Sequence, residues 1–180
     1  MKKIFAIILT ATILMGLVAG LLTSCSQAPE APTTSLPRSG ITVEEILENF
    51  EGMLEPIADQ FKMTRLAEVE LEDGRVCQPV LVTDKLLDRN YHIHIYSQEG
   101  SATDVLLSAG RDKRAELNFA LLSLYICKSM NLPELETEAF YDHFKLLTEA
   151  PEGSMTVEGW DLLAFATEDL LTFSALYATE

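Results

Sequence analysis

Apolar residues change their spacing twice along this chain, and that change narrows the fold more than any motif does. Val43, Ile46, Leu47, Phe50 and Leu54 recur every three to four residues, the spacing of one helix face. From Met63 the period drops to two. Met63 to Leu71 and Val76 to Thr83 flank Glu72-Asp73-Gly74-Arg75, whose Asp-Gly pair is a hairpin signal; Tyr91 to Tyr96 and Thr103 to Leu107 flank Glu99-Gly100-Ser101. These segments predict a meander of up to four antiparallel strands. Trp160 to Thr167 and Leu170 to Ala178, separated by Glu168-Asp169, predict a closing hairpin.

The helical segments carry their own start and stop signals. Thr42-Val43-Glu44-Glu45 is a capping box, in which a threonine hydroxyl and a carboxylate three residues on satisfy free backbone donors. Pro56 ends or kinks that helix. The period of a helix returns from Asp112 to Met130, with Leu117, Ala120, Leu121, Leu124, Cys127 and Met130 on one face. Phe119, Leu122, Tyr125 and Ile126 widen the face, so this helix is expected to be buried nearly all round. Asn131 and Pro133 stop it, a third helix is expected over 134–147 with Phe140, Phe144 and Leu147, and Pro151 to Gly153 breaks the chain again. The expected fold class is α+β: an antiparallel sheet, made of a four-strand meander plus the C-terminal hairpin, packed with about three helices. The hairpin is expected either to extend the sheet or to cover the helix carrying Leu121 and Leu124.

Ahead of this domain lie Met1-Lys2-Lys3 and then Ile4 to Leu22, a run without one ionisable group. Its length suits either a secretory signal or a membrane span. Leu22-Thr23-Ser24-Cys25 resembles the lipobox of bacterial lipoproteins, a branched apolar residue and two small ones before a cysteine. The resemblance covers residues 1–25. It implies a diacylglyceryl thioether on Cys25, cleavage between Ser24 and Cys25, and often acylation of the new N-terminus, because sulfur is the nucleophile and small side chains admit the peptidase. Two acyl chains anchor stably where one holds only marginally. The other reading of these residues is an uncleaved N-terminal helix ending at a chance cysteine. Both put the domain at a membrane surface, and the lipobox reading has it facing outside the cytoplasm.

The expected organisation is therefore a signal peptide over 1–24, a lipidated linker over 25–40 and one globular domain over 41–180. The linker SQAPEAPTTSLPRSG holds Pro29, Pro32 and Pro37 and too little apolar surface to fold. Extended at about 3.1 Å per residue, it reaches at most roughly 45 Å.

Charge then removes two classes of partner. The sequence has 13 Lys and Arg against 28 Asp and Glu, and without Lys2 and Lys3 the balance is 11 against 28, a net −17. Such a surface repels nucleic acid and does not adhere directly to anionic lipid.

Candidate chemistry is sparse. His92 and His94, two apart in a strand, point to one face and can hold zinc or copper if His143 or a carboxylate joins them; the same alternation equally fits Tyr91, Ile93 and Ile95 turned inward and the histidines outward. Cys77 and Cys127, the pair left once Cys25 is lipidated, can form a disulfide in an oxidising compartment, or Cys127 can serve as a small hydrophobe in an apolar helix. Asp112, after Ser108-Ala109-Gly110-Arg111, either caps a helix or leaves its N-terminus open to an anion. GxSxG, HExxH, Walker A, GxGxxG and SxxK motifs are absent from the sequence, no catalytic residue is assigned, and no cofactor is expected. The reading that follows is a membrane-anchored, non-enzymatic domain binding another envelope protein, a peptide or a small ligand. The alternative is a surface enzyme or metal carrier using His92 and His94. A deep pocket gathering both histidines and a carboxylate favours the alternative; a flat sheet face favours binding.

Overall fold

A computed structural model of the protein describes residues 39–132, 142, 144 and 152–178. Helix α1 spans Val43–Leu54 and opens with the expected capping box: Glu45 N donates to Thr42 Oγ1 at 3.2 Å, and Thr42 N to Glu45 Oε2 at 2.8 Å. Ile46, Leu47, Phe50 and Leu54 are buried, and Pro56 turns the helix end into a 3-10 turn over Glu55–Ile57. Strands β1 (Phe61–Arg65), β2 (Val69–Glu70), β3 (Val76–Asp84), β4 (Arg89–Gln98) and β5 (Ser101–Gly110) follow, then helix α2 (Lys113–Ser129). The chain closes with β6 (Glu152–Val157), β7 (Trp160–Ala166) and β8 (Leu170–Tyr177).

All eight strands form one antiparallel sheet in the order β1-β3-β4-β5-β8-β7-β6, with the short β2 beside β1 on the same flank of β3. The C-terminal hairpin therefore extends the sheet, and it does so through β8 on β5. Both helices pack on one face, where Ile46, Leu47 and Phe50 of α1 and Ile126 of α2 meet Val80, Ile93, Ile95 and Val105. Asn49 Nδ2 ties the helices together by donating to Ser129 O at 3.1 Å. The entering chain is fixed at the start of β5, since Ala102 N donates to Ile41 O at 2.9 Å and Ser39 Oγ to Ala102 O at 2.7 Å. None of the helices among the described residues is long and apolar enough to cross a membrane.

The α+β class holds, and its details are corrected in four places. Two helices, not about three, are found among the described residues; the third, expected over 134–147, falls outside them apart from Asp142 and Phe144. Helix α2 is not buried all round. It forms an outer layer and so keeps a solvent side: Phe119, Leu122, Ile126 and Cys127 point inward while Leu117 is 64% exposed. The strand expected from Met63 to Leu71 is broken, because Pro79 on the neighbouring β3 has no N–H to offer it. Leu66 N still donates to Pro79 O at 3.0 Å, but Leu66 O takes its hydrogen from the Gln78 side chain at 2.8 Å, and the edge strand parts into β1 and β2 at this point. Last, β6 begins at Glu152, inside the expected Pro151–Gly153 break, and adds a third strand to the closing hairpin.

Turns hold the register. Glu99-Gly100 (φ 51° and 85°) joins β4 to β5, and Glu158-Gly159 (φ 47° and 80°) joins β6 to β7. Two successive left-handed residues match the twist of the strands they connect. Asn131, at φ 60°, ends α2 as expected, with Leu132 N donating to Cys127 O at 3.2 Å.

Candidate functional site

Strand alternation divides the sheet into a packed face and an open one. Tyr91, Ile93 and Ile95 on β4 are buried beneath the helices, so His92 and His94 point the other way. Register then sets their neighbours. Across the strands run Leu81, His92, Ser108, Thr172 and Phe165 in one row, and Pro79, His94, Leu106, Ser174 and Leu163 in the next. A third row holds Cys77, Tyr96, Asp104, Leu176 and Asp161. Leu163 and Leu176 are 38% and 44% exposed, while Leu81, His94, Leu106 and Phe165 are half-buried. Thr172 Oγ1, in the middle of this face, is buried without a hydrogen-bond partner.

Two residues apart on one strand, the α-carbons of His92 and His94 are separated by about 7 Å. Burial, and secondarily the charge of His92, hold the His94 pKa below its ordinary value, so the neutral form predominates at neutral pH. Its ring lies 6.4 Å from that of Tyr96. A third metal ligand does not converge on them: among the described residues no group of three His, Cys, Asp or Glu is placed to hold a metal, and His143 lies outside those residues. Asp104, the carboxylate in the adjoining row, is already engaged. Arg75 Nη1 donates to it at 2.9 Å and Thr103 Oγ1 at 2.9 Å, while the guanidinium stacks 5.4 Å over the Tyr96 ring and reaches Asp73 at 2.8 Å.

Cys77 and Cys127, the two cysteines among the described residues, carry free thiols. Cys77 shares the open face with Tyr96, whereas Cys127 belongs to the core beneath α2, so the sheet separates them and the bridge is not formed. Burial raises the Cys77 pKa and pushes that of Cys127 up to about 12, the opposite of what a nucleophilic thiol needs. Asp112 caps α2, accepting from Arg114 N at 2.7 Å and from the Arg89 guanidinium. Its own carboxylate thus takes the place of an external anion, and hydrogen bonding from Arg114 N is the main reason its pKa is lowered. A shallow hollow of about 350 Å3 beside it, lined by Leu86, Leu87, Asp88, Arg89, Asp112 and Arg114, contains neither histidine.

One group that sequence reading passed over is Asp84, fully buried at the end of β3. It accepts from Leu86 N at 2.9 Å, Leu87 N at 3.0 Å, Asn118 Nδ2 at 2.5 Å and Gln60 Nε2 at 3.4 Å, joining the loop after β3 to α2. The signal was available: Asp84 continues the inward parity of Val80 and Val82. Tyr91, fully buried beside Asp84 and Asn118, is pushed up to about 12, mainly by burial and then by the charge of Asp84. The second group is Arg75 with Tyr96 and Asp104, which no local spacing announces. Compared with known protein families, curated proteins and solved structures, the chain matches none.

Proposed function

We propose that this protein is a membrane-anchored extracytoplasmic binding module. Lipid on Cys25 holds it to the membrane, residues 26–40 tether it, and the open face of the sheet engages another envelope protein or a peptide. One observation carries the reading: the histidines lie on the sheet face turned away from the helices, beside the half-exposed Leu163 and Leu176, and among the described residues no third metal ligand joins them. Mixed apolar and neutral polar surface, with aromatic and leucine side chains at its centre and charge at its margin, is the make-up of an interface core.

Two experiments test this. A photo-crosslinking residue at Leu163, on the open face, is expected to give a discrete adduct in intact cells, whereas one at Leu117, exposed on the far side of α2, gives none. Equal labelling from both positions overturns the binding reading. Anchoring is tested separately: Cys25→Ala is expected to leave the precursor uncleaved after Ser24 and without lipid. A parent protein that begins at Met1 with an unmodified Cys25, read by mass spectrometry, refutes it.

A further inference from the structure

The two margins of the sheet are built differently. On the β1/β2 side the outermost chain carries the exposed charges Lys62 and Arg65, is interrupted between Arg65 and Val69, and is tied by Arg65 to Glu44 and Glu51 of α1 at 2.7 and 3.3 Å. Cationic side chains, breaks and short segments are the devices that stop an edge from pairing with another chain. At the opposite margin β6 reads Glu-Gly-Ser-Met-Thr-Val and has none of them. It holds no lysine, arginine or proline, it pairs with β7 in unbroken register, and no described strand pairs with its outer side.

The turn geometry shows which of its backbone groups are left over. Because Glu158-Gly159 is a two-residue turn with both φ positive, Val157 and Trp160 are the hydrogen-bonded pair that closes the hairpin. Alternation then directs the amides and carbonyls of Val157, Met155 and Gly153 to β7, and those of Thr156, Ser154 and Glu152 away from it. The outer side is a ladder of donors and acceptors in strand conformation.

Charge identifies what fits that ladder. From Leu146 to Glu180 the sequence has seven Asp and Glu and no Lys or Arg. Glu158 and Asp161, next to β6, are exposed. A second copy of this chain brings an equally anionic segment to the same edge, and like charges across a strand pair are unfavourable. An extended segment rich in lysine or arginine meets the opposite condition. We propose that β6 accepts an extended basic peptide of a partner protein as a further strand of the sheet: backbone pairing supplies the affinity and the anionic surround selects the cationic sequence. This edge is separate from the open face, so either assignment can fail without the other.

The test uses the full-length protein in detergent micelles and a fluorescent peptide of alternating lysine and valine, read by anisotropy. Saturable binding is expected that weakens by about tenfold or more when every backbone amide of the peptide is methylated, since methylation removes the donors and leaves the charges. The same loss is expected with Thr156→Pro, which deletes an outward N–H and spares the bonds to β7; an alternating glutamate and valine peptide is expected not to bind. If Thr156→Pro does not fold, the methylated peptide on the parent protein still decides. Equal binding of the methylated peptide means charge attraction alone and overturns the proposal, as does the absence of saturable binding. Self-association of the protein in sedimentation, abolished by a charge at Ser154, gives the edge to a second copy and overturns it too.

Discussion

Phe173 lies at the centre of the sheet, fully buried on β8 between Leu107 of β5 and Ala164 of β7. Both neighbouring strands are hydrogen-bonded to β8 along its length, so the backbone cannot close over a missing ring, and Phe173→Ala leaves a cavity close to the full size of the deletion. Deletions of that kind cost about 3–5 kcal/mol, against a total stability of about 5–15 kcal/mol for a domain of this size. With a urea slope of about 2 kcal/mol/M, a loss of about 4 kcal/mol lowers the unfolding midpoint by about 2 M while leaving the slope unchanged. The assay is urea denaturation of residues 39–180, which contain all the described contacts. Leu176→Ala is the control: it sits on the same strand but is 44% exposed on the open face, and its loss is expected to be under about 1 kcal/mol. A Phe173→Ala midpoint equal to the parent's refutes the packing argument. Equal losses for the two variants show that strand propensity, not burial, governs β8.

Gly159→Ala is expected to lower the Tm further than Gly100→Ala. Both glycines have φ above +80° or at it, but only at 159 does an added Cβ meet a neighbour, Tyr177 Cε2 at 3.1 Å. In an NMR pH titration, His94 is expected to protonate below the ordinary 6.5. Its folded pKa is depressed, so the unfolded chain binds the proton first, and the His94 contribution to stability is present above pH 6.5 and lost as pH falls below it; a midpoint at or above 6.5 contradicts the burial argument. Cys77 and Cys127 are expected to resist alkylation in the folded protein and to take up one group each once it is denatured without reductant. A denatured protein that stays unlabelled at both is bridged after all.

Where the local pattern also governs the tertiary contacts, sequence and structure agree. The Thr42–Glu45 box, the Glu99-Gly100 turn, the outward histidines and the hairpin 160–178 all follow from residues within a few positions of one another. The misreadings arise where a distant residue intervenes. Nothing near Leu66 announces the break there; the cause is Pro79, thirteen positions on, reached only through strand pairing. Leu117 fits the apolar stripe of α2, yet that helix docks through Phe119, Leu122 and Ile126, because the side that packs is chosen by the sheet beneath. Glu158-Gly159 repeats the Glu-Gly pair of the β4–β5 turn, and the nearby Pro151 and Gly153 obscured it. The histidine pair was visible at once, but whether a third ligand joins it depends on register across β3, β4 and β5, which spacing does not encode.

The position of β8 also sets an order of events. It is the last of the described strands in sequence, yet it lies between β5 and β7 and is the strand that joins the two parts of the sheet. Until Leu170–Tyr177 has left the ribosome, β5 keeps an open edge, and Val105, Leu107 and Ala109 lack the strand that flanks them. A growing chain of this topology cannot complete the core around Leu107 before Leu170–Tyr177 has been made. A chain truncated before Leu170 never passes that point: it keeps two unpaired edges in the middle of the sheet, on β5 and on β7, and a quality-control protease meets exposed strand at a place that β8 covers in the longer chain.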